Sequence, residues 1–105
     1  MQQITTAELK ARLDAGETIH LLDVREPEEV AEFNIGGTAL PLGNIMGQQT
    51  EDIEDWKDDE VVVICRSGKR STQATMMLET MGFSNVKNLI GGLLDWQMNF
   101  GSAGK

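Results

Sequence analysis

The sequence predicts a single α/β domain built on a five-stranded, mainly parallel sheet with helices on both faces, and three observations carry that expectation. Short apolar runs alternate along the chain with segments of helical spacing, as in strands joined by helical crossovers. Residues Val61 to Ile64 are β-branched without a polar interruption, which suits a strand buried on both faces. At 105 residues the chain can bury one core and has no room for a second.

The elements follow in order. Gln2 to Ile4 forms a short edge strand, and Thr5-Thr6-Ala7-Glu8 matches a capping box in which Thr5 caps and Glu8 reaches back. Leu9 and Leu13 share a face of that helix, which Gly16 ends. Ile19 to Val24 reads as a second buried strand that includes His20 and Asp23. Pro27 suits a first helical turn and Glu28 and Glu29 its positive end, so a short helix is expected over 27–33 with Val30 and Phe33 toward the core. Asn34-Ile35-Gly36-Gly37 breaks it. Thr38 to Leu42 is a third strand, confined to an edge or shortened by Pro41. Residues 43–50 carry no readable pattern, Glu51 to Trp56 forms an acidic helix with Ile53 and Trp56 inward, and Asp58-Asp59 turns into the strand at 61–64.

Beyond that strand, Ser71 or Thr72 is expected to cap a helix whose apolar positions Ala74, Met77, Leu78 and Met81 follow helical spacing. Met76, Met77 and Met81 read as core filling. Gly82 suits the position just past the helix end, with Phe83 packing back on the last turn. Val86 to Ile90 is the fifth strand, and Gly91-Gly92 leads by a close backbone approach into a last helix carrying Leu93, Trp96 and Phe100. The domain is thus placed at 1–100, with a disordered tail at 101–105.

A net charge of −8 argues against nucleic-acid or membrane partners for the surface as a whole. The single cysteine excludes an intramolecular disulfide, a CxxC pair and a multi-thiolate metal site. His20, the one histidine, lies within an apolar run and reads as a strand residue rather than a catalytic partner. With Met1 taken as the start, no export signal is visible, and a free thiol then favours the cytoplasm; a monomer is expected.

The density of chemistry is greatest at Cys65-Arg66-Ser67-Gly68-Lys69-Arg70-Ser71, where the fourth strand ends and a helix begins. In open α/β sheets ligands bind beyond the carboxyl ends of strands, where loop and helix-start amides converge on anions. Thiols at helix N-termini or beside cations ionise readily, and Arg66, Lys69 and Arg70 are three of the chain's nine basic residues. A buried structural cysteine needs neither the glycine nor the basic cluster. Gly68 lets the chain curl so that amides point inward, and Ser67 and Ser71 offer hydroxyl donors.

Three blocks together give the chain a resemblance to single-domain rhodaneses, sulfurtransferases of the rhodanese homology family. They are Leu21-Leu22-Asp23-Val24-Arg25-Glu26-Pro27-Glu28-Glu29, the Cys65 to Ser71 loop, and Gly91-Gly92-Leu93-Leu94-Asp95-Trp96, and the similarity runs from about Ile4 to Phe100. It implies a strand order of 1-5-4-2-3. It also implies that Cys65 takes sulfane sulfur from thiosulfate or a similar small anionic donor as a persulfide, then passes it to cyanide or a thiol, including a protein thiol. No metal or other cofactor is implied. The loop backbone, Arg70 and Lys69, in that order, are expected to contribute most to donor binding, with Arg66, Ser67 and Ser71 at the rim. Asp23 and Arg25 read as a supporting ion pair at the end of the second strand, with Arg25 the one of the two that could also touch substrate. The family's usual His-Ile-x-Gly-Ala run is replaced by Asn34-Ile35-Gly36-Gly37-Thr38, which leaves local packing open.

Two other readings use the same cysteine. A persulfide relay would accept sulfur from a cysteine desulfurase with little thiosulfate turnover. A cysteine phosphatase or arsenate reductase would resemble Cys-x5-Arg, whereas four residues separate Cys65 from Arg70, a tighter ring better matched to one added sulfur than to a phosphoryl group.

Overall fold

The computed structural model describes residues 1–101. Of the tail expected at 101–105, only Gly101 falls among them, and the rest lies outside the described residues. The strands are β1 (Gln2–Ile4), β2 (His20–Asp23), β3 (Thr38–Ala39), β4 (Glu60–Ile64) and β5 (Asn85–Leu89). Between them run helices α1 (Thr6–Asp14), α2 (Pro27–Glu32), α3 (Leu42–Met46), α4 (Lys69–Thr80) and α5 (Gly92–Phe100), with a 3-10 helix at Glu51–Trp56. The sheet order is β1-β5-β4-β2-β3, as the resemblance implied, and every strand pair is parallel.

The unbroken apolar run at 61–64 has a direct structural reason. β4 lies between β5 and β2, and Val61, Val62, Val63 and Ile64 are all fully buried. Their alternate side chains enter two separate layers. Val61 and Val63 join Leu22, Val24, Val86, Ala74, Leu78 and Ile45 beneath α3 and α4. Val62 and Ile64 join Leu21, Leu89, Leu9, Leu93 and Trp96 beneath α1 and α5. A strand with apolar neighbours above and below cannot alternate, and truncating one such side chain typically costs about 2–5 kcal/mol.

The termini of the helices follow the sequence signals closely at α1. Thr5 Oγ1 accepts from the Glu8 amide at 3.1 Å while Glu8 accepts from the Thr5 amide at 2.9 Å, completing the capping box. At the end of α4, the Gly82 amide donates to Glu79 and the Phe83 amide to Leu78, with Gly82 at φ 99°. This is the glycine-ended closure anticipated there, with Phe83 buried.

Four expectations need correction. α4 begins at Lys69 with Gly68 as its cap, because the Ser71 and Thr72 hydroxyls bond back to the Gly68 carbonyl at 3.1 and 2.7 Å and so lie within the helix. Met76 is 57% exposed, and only Met77 and Met81 pack on the core. The third strand stops at Ala39: Leu40 and Leu42 still donate to Asp23 and Val24, but Pro41 has no amide and caps α3. α2 buries none of its own residues; Phe33, just past its end, packs partly against the α1–α5 layer.

Candidate active site

Since β4 is the middle strand and all strands are parallel, its carboxyl end opens at the centre of one sheet edge, and Cys65 is the next residue. The chain then turns through Arg66 and Ser67 to Gly68, whose φ of 99° suits glycine best. That turn aims the Gly68 amide back at Cys65, donating to Sγ at 3.0 Å. Gly68 has no side chain with which to cap α4, so the amides of the first helical turn keep no intrahelical acceptor. Cys65 Sγ therefore lies at the positive end of a helix 12 residues long.

The loop is held from behind and from the side. Ser71, expected at the rim, is instead fully buried because its hydroxyl turns inward: Oγ lies 3.3 Å from Cys65 Sγ and also contacts Gly68 O and Asn88 Oδ1. Asn88 Nδ2 donates to Thr72 Oγ1 at 3.2 Å. On the α5 side, the Leu93 and Leu94 amides donate to the carbonyls of Cys65 and Arg66, each at 2.9 Å. A Cβ on Gly92 would stand 2.6 Å from both of those carbonyl oxygens, so the close approach read into Gly91-Gly92 is the docking of α5 on the cysteine loop.

The basic residues separate into two groups. Arg66 and Lys69 are exposed and hold no ion pair among the described residues, and Ser67 is exposed beside them. Arg70 instead grips Glu29 of α2 with two bonds, Nη1–Oε1 2.6 Å and Nη2–Oε2 2.8 Å. The guanidinium holds the Glu29 carboxyl down at about 2, and the carboxylate holds Arg70 above its ordinary range. Asp23 and Arg25 form a second two-bonded pair, at 2.9 and 2.7 Å, almost wholly buried. Arg25 also donates to the carbonyls of Glu29 and Phe33, which pins α2 beside the loop. A cleft of about 380 Å³ opens there, with Arg25, Glu29, Glu32 and Phe33 on one side and Arg66 and Leu94 on the other.

His20 belongs to the opposite end of the sheet. It pairs in register with Val61 whereas Asp23 pairs with Ile64, and its ring stacks on Trp56 at 4.3 Å. Asn34, where the family usually has histidine, donates to Val30 O at 3.0 Å and accepts from the Gly36 amide at 2.9 Å, closing the end of α2.

Two residues of the site were missed by the sequence reading. Glu29 looked like a helix-start charge, and its 41-residue separation from Arg70 hides the pairing. Asn88 had a usable signal: it stands two residues after the buried Val86 on the same face of β5, an inward polar position. Together the site offers one thiol, amide and hydroxyl donors around it, and free cations at its rim. Such a set stabilises negative charge on sulfur and admits an anionic co-reactant.

Comparison with known proteins agrees with the fold. The rhodanese-like domain family model matches residues 5–99. The protein YtwF of Bacillus subtilis is 41% identical over 98 residues, covering 92% of this chain and 91% of its own. The thiosulfate sulfurtransferase PspE of Escherichia coli is 36% identical over 80 residues, 75% of each chain. A crystal structure of a rhodanese-like domain protein from Staphylococcus aureus superposes with a TM-score of 0.81 at 29% identity, covering 91% of both chains.

Proposed function

Because the chain belongs to the rhodanese-like domain family, we propose that it is a sulfurtransferase in which Cys65 carries sulfane sulfur from thiosulfate, or a similar donor, to cyanide or a thiol. The observation that carries this reading is the Gly68 amide 3.0 Å from Cys65 Sγ, at the open first turn of α4.

In the first half-reaction the Cys65 thiolate attacks the outer sulfur of thiosulfate. A bond forms from Sγ to that sulfur, the donor's own S–S bond breaks, and sulfite leaves with the electron pair. The product is an anionic persulfide. The acceptor then attacks the terminal sulfur, and the electrons of the broken S–S bond return to Sγ as thiolate. Neither step needs an oxidant or a metal.

The surroundings suit both steps. Gly68 N–H and the free amides of α4 are fixed in place before charge arrives, so little reorganisation is needed. Lys69 and Arg66 attract the dianionic donor and accompany departing sulfite, a longer-range effect that salt weakens. Arg70 serves first to hold α2 through Glu29, and adds positive potential that the carboxylate partly cancels. The loop, with four residues between Cys65 and Arg70, favours sulfur over a phosphoryl group.

Initial rates with thiosulfate and cyanide varied together test the scheme. Parallel double-reciprocal lines support a covalent sulfur carrier; intersecting lines would refute it. A protein that takes up sulfur but turns over only with a thiol acceptor would point to a relay.

A further inference from the structure

Asn88 stands on the face of β5 that α4 covers, 4% exposed, and its amide reaches both hydroxyls of α4's first turns. Its Oδ1 accepts from Ser71 Oγ and its Nδ2 donates to Thr72 Oγ1 at 3.2 Å. Ser71 is fully buried and is the hydroxyl that touches Cys65. Water therefore has little opportunity to replace any partner in this group.

Ser71 has one proton to give. Asn88 Oδ1, Gly68 O and Cys65 Sγ all lie around it. With Cys65 as a neutral thiol, Ser71 gives its proton to Asn88 Oδ1 or Gly68 O, and the thiol, 3.3 Å away, donates to Ser71 Oγ. A charged sulfur can only accept. Ser71 must then turn its proton toward Sγ, which leaves Asn88 Oδ1 a buried acceptor without a donor, a costly state.

The side-chain amide offers a way out. Its oxygen and nitrogen ends are nearly equal in shape, so a half-turn exchanges them without repacking. After the turn, Nδ2 donates to Ser71 Oγ, and Oδ1 accepts the Thr72 hydroxyl proton that now goes to Gly68 O. Gly68 O keeps a donor in the Thr72 amide at 3.1 Å. Each buried polar group is again paired, and Ser71, receiving a bond from Asn88, is the stronger donor to sulfur.

We propose that Asn88 is a positioning residue of the site, whose amide turns over so that Ser71 accepts from the neutral Cys65 thiol and donates to the charged sulfur. It acts through Ser71 rather than on the reacting atoms. The inference rests on Cys65 being the nucleophile of the proposed sulfur transfer.

Nuclear Overhauser contacts of the Asn88 side-chain amide protons, measured with Cys65 as thiol and as thiolate, read the turn directly in the wild-type protein. Thiolate absorbance reports the state of the chain's only cysteine. The Nδ2 protons are expected near Thr72 in the thiol form and near the Ser71 β-protons in the thiolate form; unchanged contacts would overturn the proposal. Asn88→Asp, an isosteric acceptor without donors, is expected to slow iodoacetamide alkylation of Cys65 on the order of tenfold or more. In a Ser71→Ala background the same substitution should act severalfold less, and an equal effect in both backgrounds would reduce Asn88 to a structural role. A wild-type protein whose amide turns over but that gains no sulfur from thiosulfate would sink the sulfurtransferase reading and leave the positioning of Ser71 intact.

Discussion

Arg70 and Glu29 are joined by two parallel hydrogen bonds, 2.6 and 2.8 Å, that tie the first turn of α4 to α2 across the rim of the cysteine loop. A cation placed by sequence among the donor-binding groups thus carries its own carboxylate. In Glu29→Gln the Arg70 charge is uncovered, so the Michaelis constant for thiosulfate is expected to fall about two- to fivefold at low salt. Lys69→Ala should raise it by a similar factor. Steady-state kinetics at two ionic strengths checks both, since the two effects should shrink together as salt increases.

Acid stability gives a second prediction. Glu60 accepts from Arg12 and Lys87, and these bonds hold its carboxyl down from 4.5 to about 2. Glu29 is lowered to about 2 by Arg70. The unfolded chain takes up these protons first, so the stabilisation is complete above pH 4.5 and is lost as pH falls toward 2. Glu60→Gln should lower stability at neutral pH by on the order of 1–2 kcal/mol, between an exposed and a buried pair, and should flatten the acid limb. Denaturant unfolding from pH 6 down to the acid range reads both changes.

How much of this was legible follows from where each determinant lies. The capping box at Thr5 and Glu8 and the glycine closure at Gly82 are local, and their residues state them outright. The uniform burial of Val61 to Ile64 shows in their composition. The start of α4 is not legible, because Ser71 and Thr72 are ordinary cap residues by type, whereas with Gly68 in the left-handed region their hydroxyls bond back to the Gly68 carbonyl from within the helix. The pairs Arg70–Glu29 and Ser71–Asn88 join distant segments, and no spacing rule reports them.

Glycine substitutions should separate backbone conformation from steric fit. Gly68→Ala keeps ordinary contact distances, 3.5 Å to the Gly91 amide nitrogen, and must only adopt φ 99°. A cost of about 1–2 kcal/mol is expected. Gly92→Ala drives a methyl to 2.6 Å from two loop carbonyls. It should cost more than Gly68→Ala and displace the cysteine loop, which thermal unfolding and sulfur-uptake rates together would register.

Arg25 supplies the donors for a buried carboxylate. Arg25→Ala leaves Asp23, 2% exposed, with an unpaired charge, and about 3–5 kcal/mol of stability should be lost. Arg25→Lys should recover little of it, because an ammonium cannot reproduce the two-bonded fork. Equilibrium unfolding of both variants decides the point; near-complete rescue by lysine would contradict it.

Sulfur transfer through Cys65 is read most simply in the intact mass of the protein after exposure to thiosulfate. A gain of one sulfur atom, removed by cyanide and absent in folded Cys65→Ser, is the predicted result. Folded wild-type protein that keeps its original mass would contradict the account.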